Sequence, residues 1–85
     1  MRHPRTDAER QRGRVLTHQL AQLRTQRHGL SQADLAHRAN VSLDLIRKIE
    51  QAVVTDPGFF TVARLVRVLE GSLDELANTA FEQVP

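Results

Sequence analysis

Apolar residues recur along this chain at helical spacing, in short runs broken by punctuation, with no strand-like alternation. Thr6 with Glu9 fits a capping box, and Leu16, Leu20 and Leu23 follow at i, i+4, i+7. This predicts a first helix from Asp7 or Gly13 to Arg27, ended by His28-Gly29. Gly13 weakens the first two turns, so residues 1–12 are expected as a mobile arm ahead of a domain over 13–80, with 81–85 a tail. Ser31 caps a second helix over Gln32–Ala39 that buries Leu35 and Ala36. Asn40 suits a left-handed position between helices, because its short amide tolerates positive φ. Ser42 caps a third helix over Leu43–Gln51, with Leu45, Ile46 and Ile49 inward.

Thr55-Asp56-Pro57-Gly58 reads as a turn, and a fourth helix over Phe59–Glu70 carries Val62, Leu65, Val66 and Leu69 on one face. Only one of Phe59 and Phe60 fits that stripe; the other is expected as a partial surface plug. Gly71 is expected to stop the helix. Ser72 with Glu75 makes a second capping box, for a short fifth helix through Thr79. The fold class is therefore a compact all-α domain of five helices.

Eighty-five residues make one domain near the lower limit for an unstapled core. With no Cys there is neither a disulfide nor a thiolate metal site, and the four His lack the spacing and acidic company of a metal cluster. No apolar stretch is long enough to span a membrane or begins the chain as an export signal, so a cytoplasmic location is expected. Charge is distributed unevenly around a net +2. Seven Arg against Asp7 and Glu9 give residues 1–28 a balance of +5, residues 29–50 balance at zero, and residues 51–85 carry −3. A basic front and an acidic rear suit a protein that meets a polyanion with one end, although Arg-rich termini are also common as solvated tails.

The spacing from Ser31 to Glu50 carries the functional signal. Two helices of about two turns flank a tight turn; Ala36 permits close crossing, Asn40 supplies the turn, Val41 plugs the corner, and Ile46 and Ile49 seat the second helix. Its outward positions are then free to enter a DNA major groove about 12 Å wide. The blocks Gly29-Leu30-Ser31-Gln32-Ala33-Asp34-Leu35-Ala36, Val41-Ser42, Ile46-Arg47-Lys48-Ile49-Glu50, Pro57 and Ser72-Leu73-Asp74-Glu75-Leu76 resemble the lambda-repressor-like (Xre/Cro-type) helix-turn-helix family. The resemblance covers roughly residues 15–77. It implies a five-helix domain that binds double-stranded operator DNA, usually as a two-fold dimer on a palindrome, and regulates transcription without a cofactor.

Carried over by position, the resemblance makes Gln32 a phosphate contact that braces the recognition helix. It places Ser42, Leu43, Asp44, Arg47 and Lys48 where bases or nearby phosphates are read. The chemistry agrees: Arg47 or Lys48 donates to guanine, Ser42 reaches a phosphate or base edge, Leu43 packs on a thymine methyl, and Asp44 accepts from cytosine N4. Ser42 reads equally as a helix cap, and Leu43 and Leu45 as core or interface residues. Amides near Gly58 and Phe59 are placed to receive a phosphate. The resemblance also pairs Glu50 with an arginine four residues before the turn glycine. That position here is Thr25, and Arg24 lies one residue too early, which leaves the Arg24–Glu50 pairing open. Two further departures are Asn40 in place of a turn glycine, and Glu70-Gly71 where the family has glycine and then an apolar residue.

An enzyme is disfavoured, because the chain has no phosphate loop, no paired carboxylates in a cleft and little room for a pocket. Single-stranded RNA binding is disfavoured by the absence of Tyr and Trp. The competing class is an interaction module, an antitoxin or adaptor on the same fold with a toxin or other protein as partner. Leu43 and Asp44 favour that class; the Arg-rich front favours DNA. A homodimer is expected, with helix five and its tail (Leu76, Ala80, Phe81, Val84) as the candidate interface.

Overall fold

The computed structural model describes residues 6–85, and all regular structure among them is helical. Five helices follow in order: α1 over Asp7–Gln22, continued by a π turn over Leu23–Arg27, α2 over Gln32–Ala39, α3 over Leu43–Glu50, α4 over Phe59–Leu69 and α5 over Leu73–Gln83. Each start follows from the residue before it. Thr6, Ser31, Ser42 and Ser72 each accept from the amide three residues on, and at Thr6 the Glu9 carboxylate returns the bond, completing the capping box. Gly58, ahead of α4, offers no side-chain cap.

The stops are backbone events. Asn40 is left-handed (φ 56°), as its short amide permits, and Val41 N–H then donates to Ala36 C=O. At the end of α4 the left-handed residue is Glu70 (φ 54°), so the helix stops one residue before the expected Gly71. Gly71 serves packing instead: a Cβ there would lie 3.1 Å from a Leu23 methyl. Leu23 thus occupies the space that an apolar side chain at 71 would claim.

The core joins all five helices through Leu20, Leu35, Ala36, Ala39, Ile46, Ile49, Val62, Leu65, Val66, Leu69 and Leu76. His28, at the end of the π turn, donates from Nε2 to the Leu69 carbonyl and ties the ends of α1 and α4 together.

Of the two starts open for α1 the earlier is taken, and α5 is longer than the pattern suggested. α1 is already helical at Asp7, so residues 7–12, expected in the arm, belong to the helix; residues 1–5 of that arm lie outside the described residues. Thr6 and Glu9 fix that start, and Gly13 does not break the helix. This glycine is buried, and a Cβ there would lie 2.1 Å from the Thr55 carbonyl oxygen, so the residue that weakens the helix locally lets the α3–α4 connection pack against it. Helix α5 runs to Gln83 rather than ending at Thr79, and Phe81 is helical rather than frayed. Arg12 Nε donates to the Val84 carbonyl at 2.9 Å, and the Arg12 guanidinium stacks on the Phe81 ring at 4.7 Å, which closes α5 onto α1. Leu76 and Ala80 are buried within the chain itself and so are withdrawn from any interface. Neither Phe59 nor Phe60 plugs the surface: both are exposed, and the inner stripe of α4 begins at Val62.

Candidate nucleic-acid interface

Helix α3 has two chemically distinct sides. Ile46 and Ile49 are each 1% exposed and seat the helix on the core, while Asp44, Arg47 and Lys48 are exposed. The Ile46/Ile49 spacing of three residues puts both on one stripe and leaves positions 44, 47 and 48 on the other.

The far end of α3 is locked by a polar cluster. Glu50 accepts from Arg24 Nε at 2.6 Å and from Arg24 Nη2 at 2.7 Å, a bidentate pair, and from Gln32 Nε2 at 3.0 Å. Arg24 Nη1 donates to the Leu30 carbonyl at 2.8 Å. Both charged side chains are largely buried, at 14% and 12% exposure. Burial pushes the Glu50 carboxyl up, but the bonds from Arg24 and Gln32 and the Arg24 charge outweigh it, and the net effect holds it below its ordinary value. The bond to Glu50 raises Arg24 in turn. The cluster therefore ties the end of α1, the start of α2 and the end of α3 into one corner.

The π turn makes this pairing possible. Arg24 stands five residues before Gly29, one more than the resemblance requires. His28 N–H donates to Leu23 C=O, five residues back, so one extra residue is taken up inside the last turn of α1. Arg24 keeps its approach to Glu50 without shifting Gly29 and α2. Sequence spacing alone counted the residue as a misalignment; a wider helical turn absorbs it.

The six expected contact residues take different positions. Ser42 is exposed and its Oγ accepts from Leu45 N–H, so the hydroxyl caps α3. Leu43 is half-buried and packs against the core. Asp44 and Lys48, one turn apart, form an exposed ion pair at 2.9 Å. Arg47 is exposed beside them. The side chain of Gln32 is half-buried and turned to Glu50. Asp44, Arg47 and Lys48 thus share the outer side of α3, Ser42 caps its start, and Leu43 and Gln32 are partly engaged by the fold. Arg24, absent from the expected contacts, is the residue on which this geometry depends; its signal was Glu50, a carboxylate at a helix end in need of a partner.

No curated protein matches the chain. Residues 15–78, most of its length, match the model of a family described as a helix-turn-helix domain. The match contains α2, the Asn40 turn and α3, the unit that in such domains lays its second helix in the DNA major groove. By this match and by the two-helix unit locked at Glu50, the chain belongs to the helix-turn-helix domain family.

Proposed function

We propose that the chain is a lambda-repressor-like (Xre/Cro-type) transcription regulator that binds double-stranded DNA through α3 and occupies a palindromic operator as a dimer. The observation that carries this reading is the division of α3. Asp44, Arg47 and Lys48 face outward together, while Ile46, Ile49 and the Glu50 cluster hold the opposite side and the end. The pairing of Glu50 with an arginine that the resemblance anticipates, made here by Arg24 from one position earlier, supports the finer family assignment.

Two basic side chains one helical position apart supply donors for guanine O6 and N7 or for phosphate. Asp44 acts by exclusion. Its carboxylate holds Lys48 in the free protein and repels phosphate, so Lys48 gains a base contact only where Asp44 also finds a donor such as cytosine N4. Ser42 lies at the start of α3, within reach of the groove wall. Gln32 acts as the brace between α2 and α3, with its remaining amide hydrogen and carbonyl available toward the backbone. Leu43 contributes its exposed part to apolar contact with a base methyl. Because Leu43 is half-buried and Asp44 is ion-paired, the two residues that favoured a protein-binding adaptor have roles within the fold, and the DNA reading is preferred.

The deciding experiment is selection of bound duplexes from a random pool. Enrichment of a palindrome with half-sites about 34 Å apart is expected. Absence of enrichment, with no binding to mixed-sequence DNA even at low salt, overturns the proposal. On the selected duplex, Arg47→Ala and Lys48→Ala should each relax preference at single base pairs. Asp44→Asn should raise affinity for unrelated duplexes and narrow the ratio between selected and unrelated sites.

A further inference from the structure

The largest apolar exposure among the described residues lies just past the recognition helix. Phe59 is 65% exposed and Phe60 76%, their rings in edge-to-face contact with centroids 5.3 Å apart. Val53, in the same connection, is 68% exposed. Burying one aromatic ring would remove on the order of 150 Å² from water, so a free ring pair is not a neutral surface choice.

The chemistry of the surrounding segment narrows what can cover these rings. From Gln51 to Ala63 there is no Lys or Arg, and Asp56 is the only charged residue. Backbone amides near Gly58 and Phe59 can take a phosphate, but the rings carry no cation to hold one, so the ring faces are a poor surface for the duplex. An identical surface is a good one, because a two-fold axis brings like residues together and an almost neutral apolar patch meets its own image without repulsion. Helix α5 is the opposite case. Its Leu76 and Ala80 are already buried, Phe81 lies under Arg12, and Asp74, Glu75 and Glu82 would face their own copies.

We infer that Phe59 and Phe60 form the contact between two copies of this chain, in place of the α5 surface that the sequence suggests. The pairing itself needs no DNA, whereas its use on a palindrome rests on the function proposed above. Its strength follows from its size. The two rings offer on the order of 300 Å² per copy, about 600 Å² for the pair, well short of the roughly 1,200 Å² of a stable interface. The chain is therefore monomeric at micromolar concentration and pairs when two copies are held side by side. The ring pair starts nine positions after the end of α3, at the head of the next helix, so a duplex that seats two recognition helices is the natural means of doing so.

The test is sedimentation equilibrium of the full chain without DNA, wild type against the double variant Phe59→Ser/Phe60→Ser. Both residues are exposed, so circular dichroism and the thermal midpoint should be unchanged and serve as the folding control. Reversible self-association of the wild type at about 1 mM, absent at about 10 μM and abolished in the variant, is expected. No self-association of the wild type at the higher concentration, or equal association of the variant, overturns the inference whatever the outcome with DNA. On a selected duplex, the variant should bind a single half-site as tightly as the wild type and lose cooperativity on the full palindrome. Loss of single half-site affinity would instead make the rings a DNA contact and would also overturn the inference.

Discussion

The stretch from Gln32 to Glu50 and the ten residues after it obey opposite rules. In the first, Leu35, Ala36, Ala39, Ile46 and Ile49 are buried, both helix starts carry a serine cap, the left-handed turn falls on Asn40, and the buried charge of Glu50 is met twice by Arg24. In the second, Ala52 is left-handed (φ 58°), α4 starts without a side-chain cap, and Val53, Phe59 and Phe60 are exposed. The buried, capping and turn residues of the first stretch are all explained by the stability of one copy. Those in the second are not, and a segment that breaks local rules together is a place to look for a demand from outside the monomer.

The firmest part of that contrast is also where the largest effect is expected. Arg24→Ala should destabilise the fold by about 3 kcal/mol, because it strands the Glu50 carboxylate in a largely buried position. Urea unfolding measures this, and Arg24→Lys should recover only part, since an ammonium cannot make the bidentate pair. The same cluster predicts an acid limb. A carboxyl held below its ordinary value of 4.5 contributes stability that is fully present above that pH and lost as the pH falls through the lower folded value. Arg24→Ala should flatten that limb; an unchanged profile would show that Glu50 gains nothing from its partner.

A smaller effect should separate the two stretches physically. Gly13→Ala places a Cβ where the Thr55 carbonyl oxygen would be 2.1 Å away, so the connection must move off α1. Overpacking of this kind outweighs the gain of about 1 kcal/mol in helix propensity, and a net loss of about 1 kcal/mol is expected. Amide chemical shifts from Val53 to Phe60 should change while those of α2 and α3 stay in place. Shifts spread evenly over both stretches would show that the connection is not held separately.

What was legible in the residues follows the same line. The spans of α2 and α3, the Asn40 turn and the buried isoleucines can be read directly, because a serine cap, a helical stripe and a turn residue all act within a few positions. The start of α1 stayed open between Asp7 and Gly13, because Gly13 weakens the helix locally and its packing partner lies 42 positions away, at Thr55. Likewise α5 is held past Thr79 by Arg12, from the other end of the chain. The Arg24–Glu50 pair was visible as two residues but left open by their spacing, since counting in regular α turns has no place for a π turn. Among the expected contacts, spacing put Asp44, Arg47 and Lys48 on one side of α3, with Ser42 capping its start. It gave no sign that Gln32 would turn to Glu50, because that bond depends on how two helices cross.

The smallest effect bears on why the second stretch tolerates its strain. Ala52 follows the cap of α3 with φ 58°, a conformation that costs an L residue about 1 kcal/mol or more relative to glycine. Its amide still donates to Ile49 C=O at 3.0 Å, and the next two amides both reach Lys48 C=O, so the turn is fully bonded despite the strain. Ala52→Gly removes the steric cost but adds freedom to the unfolded chain, and the two opposing terms leave a net gain of about 0.5 kcal/mol. Thermal unfolding should show a rise of a few degrees with no change in the shifts of α2 and α3. A fall in stability would mean that the methyl of Ala52, half-buried beneath the connection, packs well enough to outweigh its backbone strain. In that case the stretch after Glu50 is as well fitted to the monomer as the one before it, and only the two phenylalanines still call for a second copy.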